Sequence, residues 1–493
     1  MRRYGIRIVL LIALLVRLYH LTFPVAGFQA WRQADTAAVA RNFYEGGFHL
    51  VYPQIDWGGT TSGYVEMEFP IYSFVVALLY KIFFPSDMWG RLLSVVCSLF
   101  TIYGLYLLTK KTLGDSVALW AAGIYAILPL NIFYTRAFMP ESAMLMCSAW
   151  GIYHFSEWLD TRRMANWFLS LLFISLAALL KIPALYLGLP LFFLGWSVFQ
   201  KRLFLQWRIW LFVAVVFAAV GLWYYHSYQL YKSTGLTFGI WFFGENKWGM
   251  MGPLGTLKWY NDILFKSIAE RHLTYAGFIP FVIGLFIRRT SVRERLFDWW
   301  LIALVVYFFI VTTGNQIHEY YQLPFVLPAV VYIAKAFDKY LVLPAIGKHW
   351  RQRKVLTTVI VLCLCGIPIL SFLRVDNFMK GERLDGSLFQ LAGSVQSATK
   401  RDDLVIAVDN GDPVVLYRVD RKGWHGIACG LTTAFVDDKA KMGARYVVGQ
   451  KELFTSEGCG NVLDSLMRKY PVVSNTDSYF ILKTSSGSNE TED

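Results

Sequence analysis

Residues 6–28 read IRIVLLIALLVRLYHLTFPVAGF, and this run is apolar apart from a few basic side chains such as Arg7 and Arg17. A helix crosses the hydrocarbon core of a bilayer with about 20 apolar residues, so the run is long enough to span a membrane. It lacks the small-residue cleavage site of a secretory signal peptide. We therefore predict that it forms an uncleaved first transmembrane helix.

The whole chain has the composition of a polytopic membrane protein. Of its 493 residues 56% are hydrophobic and 16% are charged, whereas soluble domains carry roughly 25% charged residues. The mean hydropathy is +0.43. These values exclude a disordered chain, a collagen, a coiled coil and a small disulfide scaffold. The net charge of +13 is found in short basic clusters between apolar runs, which is typical of cytoplasmic anchors, so no nucleic-acid partner is expected.

Eleven apolar runs are predicted to span the membrane. They lie near residues 6–26, 89–109, 116–135, 141–158, 165–181, 183–199, 208–226, 275–287, 298–314, 322–338 and 355–373. A twelfth run, 70–84, either crosses or lies flat in the outer interface. If it lies flat, the basic clusters between spans all fall on one side, as the positive-inside rule favours. The N-terminus is then cytoplasmic, and residues 27–88, 227–274 and 374–493 face outward.

The predicted domains are a transmembrane domain, 1–373, and a small extracytoplasmic α/β domain, 374–493. In the latter, runs 404–408, 414–417, 446–448 and 479–482 are typical of buried strands, and runs 387–398 and 462–469 of helices. Cys429 and Cys459 lie in this domain, where oxidation is permitted. The sequence leaves open whether they form a disulfide.

The first outer loop is rich in acidic residues. It begins GFQAWRQADTAAVARNFYEGGFHL at residues 27–50, and helical periodicity runs from Gln33 to Tyr44. Asp35 falls in the first turn of this predicted helix, where a carboxylate is stabilised by the helix N-terminus. It is therefore either a helix-starting residue or a catalytic base. Asp56, Glu66 and Glu68 follow, and burial of such charges costs energy unless each has a partner.

These motifs, in this order, resemble the GT-C membrane glycosyltransferases and most closely glycosyltransferase family 39, which includes protein O-mannosyltransferases and lipid A aminoarabinose transferases. The matching elements are Asp35 with Ala40-Arg41, Glu68-Phe69-Pro70, Arg136 with Pro140-Glu141, Lys181-Ile182-Pro183, and Tyr321-Gln322-Leu323-Pro324 preceded by His318 and Tyr320. Two departures stand out. Arg32-Gln33 stands where the family usually has Asp-Glu, and Phe69 stands where the aminoarabinose enzymes have Lys.

The resemblance implies a polytopic α-helical GT-C fold and transfer of a sugar, a hexose or a pentose, from a polyprenyl-phosphate donor. The acceptor would be a hydroxyl of an envelope glycan, a lipid or a protein at the outer face of the plasma membrane, and the anomeric configuration would invert. Asp35 is implied as general base, with Glu68 as a second catalytic acidic residue. The donor phosphate would be bound by Lys181, Arg136, His318, Tyr320 and Tyr321, and acceptor or supporting contacts would come from Arg32, Arg41, Asp56, Glu66 and Glu141.

Two other functions agree less well with the sequence. A transporter or flippase usually places ionisable sites near the bilayer midplane and shows internal repeats, whereas here the charges gather at span ends, with Arg17 the main exception. A membrane-anchored sensor would need far fewer spans. Arg136 and Lys181 could also be interfacial anchors. No Cys/His/Asp cluster with metal-ligand spacing occurs, so a divalent metal is not indicated.

Overall fold

The computed structural model of the chain describes residues 2–239, 251–341, 354–380 and 386–484. These residues belong to two compact units. The helical unit consists of Met1–Thr22, Met88–His226 and Gly239–Phe378, and the mixed unit consists of Phe23–Asp87, Ser227–Phe238 and Met379–Asp493.

Each of the eleven predicted spans overlaps at least one helix, although the number of membrane crossings stays a prediction. The helices are Arg2–Leu18, Asp87–Leu113, Asp115–Ile127, Pro129–Tyr134, Glu141–Thr161, Met164–Leu180, Gly188–Phe199, Trp207–Thr234, Met251–Leu254, Leu257–Tyr260, Thr274–Leu285, Arg295–Ile310, Thr312–Ile317, Leu323–Leu341 and Lys354–Lys380. Short 3₁₀ turns occupy Ile182–Leu187, Gln200–Leu205 and Glu319–Gln322, and Asn261–His272 is a π-helix. In the described parts, four helical stretches are long and apolar enough to cross a membrane: Asp87–Leu113, Ile182–Leu205, Trp207–Thr234 and Lys354–Met379.

Three predicted spans end early or are broken in the structure. Span 298–314 is broken at Val311 into Arg295–Ile310 and Thr312–Ile317. The first helix ends at Leu18 instead of continuing to residue 26, because His20 adopts a left-handed backbone with φ of 57° and Pro24 disfavours helix at the residue before it. The predicted span 116–135 is broken into two helices at Leu128, which is extended. Pro129 follows Leu128 and lacks the N–H that a continuous helix would use.

The mixed unit contains a five-stranded sheet with helices around it. Its helices are Ala30–Gly46, Ile71–Ile82, Gly386–Ala398, Val414–Val419, Thr433–Lys441, Glu452–Ser456 and Gly460–Lys469. Its strands are β1 (Leu404–Val408), β2 (Gly423–Gly426), β3 (Ala444–Gln450), β4 (Val472–Asn475) and β5 (Tyr479–Lys483), in the spatial order β2-β1-β3-β5-β4. β1 is parallel to β2 and β3, whereas β5 is antiparallel to β3 and β4. Ile406, Val447 and Phe480 are fully buried in the core of the sheet.

Most of the predicted elements of residues 374–493 are confirmed, and one is wrong. Run 414–417 is not a strand but part of the helix Val414–Val419. Asp412 Oδ1 accepts the N–H of Val414 at 3.0 Å, and Pro413 precedes the first helical residue, so the local chemistry starts a helix. Periodicity alone does not separate a short buried strand from a short buried helix.

The ambiguous run 70–84 forms the helix Ile71–Ile82. It has 12 residues and is about 18 Å long at 1.5 Å per residue. Its buried face packs on Ala30–Gly46, where Ser73 Oγ donates to the Thr36 carbonyl at 2.9 Å and the Phe43 and Phe74 rings meet edge to face. Leu78 and Ile82 are exposed. This geometry agrees with a helix that lies in the interface.

Cys429 and Cys459 are joined in a disulfide with a Cα separation of 5.4 Å, inside the range that a disulfide can bridge. The question that the sequence left open is therefore answered for these two residues. The other four cysteines, Cys97, Cys147, Cys363 and Cys365, are free thiols.

Candidate active site

In the mixed unit the structure brings together the predicted residues of the first outer loop. We call them the acidic cluster: Arg32, Asp35, Arg41, Asp56, Glu66 and Glu68. The helix that carries three of them begins at Ala30, three residues earlier than predicted. Asp35 therefore lies in the second turn, and the first turn contains no acidic residue. A helix-starting role for Asp35 is thus excluded, and its position needs another explanation.

Asp35 is 4% exposed, and its Oδ1 accepts a hydrogen bond from Trp57 Nε1 at 3.1 Å. Burial raises the pKa of this carboxyl to about 7, because the charged form loses its hydration. The Trp57 donor and the positive charge of Arg32 oppose the rise without cancelling it. A carboxyl with this pKa is suited to accept a proton near neutral pH.

The other acidic side chains have strong partners. Glu68 forms an ion pair with Arg32, and both side chains are buried. Asp56 forms an ion pair with Arg41 at 2.5 Å and accepts from Asn42 Nδ2 at 3.0 Å. Arg41 also reaches Asp420 at 2.6 Å, so this guanidinium joins the first outer loop to the C-terminal part of the same unit.

Glu66 is fully buried and holds the segment at 236–238. Thr237 Oγ1 donates to the Glu66 carboxylate. The backbone N–H of Glu66 donates to the Leu236 carbonyl at 3.0 Å, and the Glu66 carbonyl accepts from the Phe238 N–H at 2.9 Å. The Phe238 ring then lies 4.7 Å from the Arg32 guanidinium, a cation–π contact. Glu66 is thus a structural anchor that helps to fix Arg32.

Asp35 differs from its neighbours. Within the described ranges its side chain accepts a hydrogen bond from Trp57 alone and forms no ion pair. A proton can therefore reach or leave Asp35 without breaking a salt bridge. This absence of an ion pair, together with its raised pKa, makes Asp35 the candidate general base of the cluster.

In the helical unit a second group surrounds Lys181. We call it the lysine cluster: Tyr134, Glu141, Lys181, Arg271, His272, His318, Glu319, Tyr320 and Tyr321. Lys181 Nζ lies 2.9 Å from Glu141 Oε1 and 5.8 and 5.7 Å from the ring centres of Tyr320 and Tyr321. The ring of His318 packs against the same two tyrosines. Lys181 has an extended backbone at the break between Met164–Leu180 and the following 3₁₀ turn, and this break directs its side chain into the unit.

Sequence reasoning missed three members of the lysine cluster that contact Glu319: Tyr134, Arg271 and His272. Glu319 accepts from Tyr134 Oη at 3.0 Å and from Arg271 Nη1 at 2.8 Å, and His272 Nε2 lies 3.1 Å from the Glu319 carbonyl. Burial lowers the pKa of His272 to about 4, so this ring is neutral and donates to that carbonyl. The one available signal was the pair Arg271-His272 directly before an apolar run.

Arg136 is fully buried, and its Nη1 donates to the His20 carbonyl at 3.2 Å. Glu141 pairs with Lys181. Arg136 therefore helps to fix the end of the first helix, where residues 19–22 leave the helical conformation.

One group in the described part of the chain brings three potential metal ligands within 4.8 Å of one another: Cys429, Glu457 and Cys459. The two sulfurs are joined in the disulfide, so they offer no thiolate to an ion. The residues at this place do not fit a metal centre.

A family model described as dolichyl-phosphate-mannose-protein mannosyltransferase matches residues 68–225. The structure is similar to that of ArnT from Cupriavidus metallidurans bound to undecaprenyl phosphate, with a TM-score of 0.65, 13% identity and 97% of each chain covered. For apo ArnT the TM-score is 0.67 with 14% identity and the same coverage. The chain has a GT-C fold and resembles glycosyltransferase family 39.

A third structure with this fold is the oligosaccharyltransferase AglB from Archaeoglobus fulgidus, in complex with an inhibitory peptide and a dolichol-phosphate. Its TM-score is 0.61 at 13% identity, with 92% of this chain and 70% of AglB covered. Among curated protein sequences, none matches this chain. The similarity is therefore one of fold, and the role of each side chain rests on its own geometry.

Proposed function

We propose that this protein is a glycosyltransferase that transfers a sugar from a polyprenyl-phosphate donor to an acceptor hydroxyl at the outer face of the plasma membrane. The observation that carries the proposal is Asp35: a buried carboxyl without an ion pair among the described residues, whose pKa is raised to about 7. In this role its Oδ takes the proton of the acceptor hydroxyl as that oxygen attacks the anomeric carbon. The bond from this carbon to phosphate breaks, and polyprenyl phosphate leaves. A single displacement inverts the anomeric configuration.

The lysine cluster supports the other half of this chemistry. The leaving group is a phosphate monoester, and its growing negative charge is stabilised by fixed cations and hydrogen-bond donors. Lys181 supplies a cation held in place by Glu141 at 2.9 Å, and Tyr320 and Tyr321 pack beside it. We assign donor-phosphate binding to Lys181, with His318, Tyr320 and Tyr321 in support. ArnT binds undecaprenyl phosphate and AglB binds a dolichol-phosphate, which favours a lipid-phosphate donor here.

The remaining members of the acidic cluster receive supporting roles. Glu68 orients Arg32, and Asp56 orients Arg41, so neither is free to act as the first base. We further propose that the N-terminus is cytoplasmic and that residues 374–493 lie outside the cell, because the basic clusters then fall on the cytoplasmic side.

The alternative is a transporter or flippase of a lipid or glycan. A flippase moves its cargo without breaking a bond and needs no general base. In a flippase the raised pKa of Asp35 would have no role. The absence of an ion pair at Asp35, beside neighbours that are ion-paired, would have none either. This observation favours the transferase.

A transfer assay with the purified full chain tests the proposal. The donors are undecaprenyl-phosphate 4-amino-4-deoxyarabinose and polyprenyl-phosphate mannose and glucose, which cover pentoses and hexoses. The acceptors are lipid A, a peptide rich in serine and threonine, and a methyl hexoside. We expect at least one pair to give a glycosylated product with inverted configuration by mass spectrometry and NMR. Movement of labelled donor across vesicles without cleavage would instead establish the flippase.

A further inference from the structure

The C-terminal sheet holds part of the acidic cluster in place. β2 is the edge strand of the sheet, and the first outer loop pairs with its free edge. The Gly59 N–H donates to the Gly423 carbonyl at 2.8 Å, and the Gly423 N–H donates to the Asp56 carbonyl at 2.9 Å. Gly59 has φ of 59°, and a Cβ there would collide with Trp424, so this close approach requires glycine. The backbone pairing fixes Trp57, which lies between the two paired residues and donates to Asp35.

A histidine of the same strand lies beside Trp57. The His425 ring centre is 5.5 Å from that of Trp57, the indole that donates to Asp35. Its orientation is set by Asp409, whose side chain is fully buried at the end of β1 and whose Oδ2 lies 2.8 Å from His425 Nδ1. Asp409 Oδ1 also accepts the Gly411 N–H at 3.0 Å, which fixes the carboxylate in turn.

This arrangement determines what the other nitrogen of the ring can do. In the neutral ring one nitrogen donates and the other accepts. Because Nδ1 donates to a carboxylate, Nε2 is the acceptor. Across the described residues, no hydrogen bond reaches Nε2, and the His425 side chain is 21% exposed. A hydrogen-bond acceptor of fixed orientation is therefore presented to solvent next to the indole that contacts Asp35.

We propose that His425 binds the acceptor: its Nε2 accepts a hydrogen bond from a second hydroxyl of a polyhydroxylated acceptor while Asp35 takes the proton of the first. This inference rests on the proposed function. It names the acceptor class, because a sugar presents hydroxyls on neighbouring carbons, whereas a serine or threonine side chain presents one. The indole of Trp57 offers an apolar surface to the C–H groups of the same sugar ring. Asp409 is a positioning residue that fixes the tautomer of His425.

Two substitutions separate this role from a structural one. His425→Asn keeps a polar group at the position of Nδ1, so it preserves the partner of Asp409 and removes Nε2. His425→Gln places a polar group at the position of Nε2. If His425 only satisfies Asp409, the Asn variant should behave as the wild type. If Nε2 binds the acceptor, the Gln variant should recover what the Asn variant loses.

The test measures transfer by the full chain to the methyl hexoside and to lipid A, and hydrolysis of the donor by water in their absence. We expect His425→Asn to raise the KM of the sugar acceptor about tenfold, the value of one hydrogen bond, with unchanged donor KM and unchanged hydrolysis. His425→Gln should restore most of this loss. Asp437→Asn is the matched control, since Asp437 is an acidic residue of the same unit that contacts Tyr470 and Lys469.

The outcomes separate this inference from the function on which it rests. If the wild type transfers to a sugar and His425→Asn is equally active, the inference about His425 is wrong, while the proposed glycosyltransferase function stands. A wild type that transfers only to the serine- and threonine-rich peptide also overturns it. Equal loss of hydrolysis and transfer in both variants shows a structural role and overturns it as well. A wild type without transfer to any acceptor contradicts the proposed function itself.

Discussion

Four carboxylates of the acidic cluster are buried: Asp35, Asp56, Glu66 and Glu68. Removing an ionised carboxylate from water is costly unless a cation or several donors replace the water. Arg41 does this for Asp56 and Arg32 for Glu68, and Thr237 donates to Glu66. Asp35 has the Trp57 N–H, and its raised pKa is the consequence. The pKa of Asp35 is thus raised because this buried carboxyl has one hydrogen-bond donor, whereas Asp56 and Glu68 have arginine partners.

The Arg32–Glu68 ion pair gives a prediction about stability. Glu68→Gln leaves the buried Arg32 without its counter-charge, which should destabilise the fold by about 3 to 5 kcal/mol. The double variant Arg32→Met with Glu68→Leu should recover most of that loss, because buried pairs are often replaced by apolar residues at little cost. The apparent melting temperature of the full chain in detergent measures both.

The control for this pair is Arg401–Glu45, in which Arg401 is 63% exposed. Arg401→Gln should change the melting temperature very little, because exposed pairs contribute little to stability. A Glu68→Gln variant that melts at the wild-type temperature would show that the pair does not hold Arg32 in place.

Lys181 gives a prediction about donor binding. Lys181→Met removes the cation and should raise the KM of the polyprenyl-phosphate donor at least about tenfold, as expected for a charge-assisted hydrogen bond to phosphate. Lys181→Arg should retain part of the affinity because it keeps the charge. Steady-state kinetics with varied donor provide the measurement.

Lys111 is the matched control. Its side chain is 14% exposed, against 17% for Lys181, and it is likewise ion-paired, with Glu157 at 2.7 Å. Lys111→Met should leave the donor KM unchanged. Equal effects at the two lysines would indicate that loss of a buried ion pair, and not loss of a phosphate ligand, explains the Lys181 result.

At the scale of single elements, apolar periodicity was a good guide to where helices lie and a weaker guide to where they end. Each predicted span contains a helix, but the first helix stops at Leu18 because of the backbone at His20. Strands 404–408, 446–448 and 479–482 were confirmed, whereas Val414–Val419 is a helix that Asp412 caps locally. Such ends depend on single backbone contacts, and a pattern over ten residues does not contain them.

The helix Ile71–Ile82 provides a prediction about topology. If it lies in the interface, the C-terminal end of Asp87–Leu113 is cytoplasmic. Lys110→Cys, in a background without the free cysteines Cys97, Cys147, Cys363 and Cys365, should then resist a membrane-impermeant thiol reagent added to intact cells. Lys110 is exposed in the protein, so failure to label reports the side of the membrane and not burial.

Thr61→Cys serves as the positive control, because Thr61 is exposed in the predicted outer loop. It should label in intact cells, and Lys110→Cys should label only after the membrane is permeabilised. Ready labelling of both positions in intact cells would mean that residues 70–84 cross the membrane and that the assigned orientation is wrong.

At the scale of the whole molecule, the order of the motifs along the chain predicted which residues matter better than it predicted how they are paired. Asp35, Glu68, Lys181 and Glu141 were singled out from the sequence. Arg32, the partner of Glu68, was singled out as well. Trp57, which lies 22 residues from Asp35, and Arg271, which lies 48 residues from Glu319, were not. His425, which lies 368 residues after Trp57, could not be connected with it before the sheet edge was known.

The pH dependence of transfer tests the central claim, that Asp35 is the general base. Arg32, Asp56 and His425 are the charged and titratable groups that act on it. The base works only when deprotonated, so kcat/KM for the acceptor should rise about tenfold per pH unit below pH 7 and level off above it. His425→Gln should keep this inflection, which separates Asp35 from the neighbouring histidine.

The decisive measurement is the same profile for Asp35→Asn in the full chain. The variant keeps the shape of the side chain and removes a costly buried charge, so it should fold and melt no lower than the wild type. We predict a rate at pH 8 at least about 10²-fold below the wild type, with no inflection near pH 7. A folded Asp35→Asn variant that transfers sugar at nearly the wild-type rate, or that retains the inflection, would contradict the account.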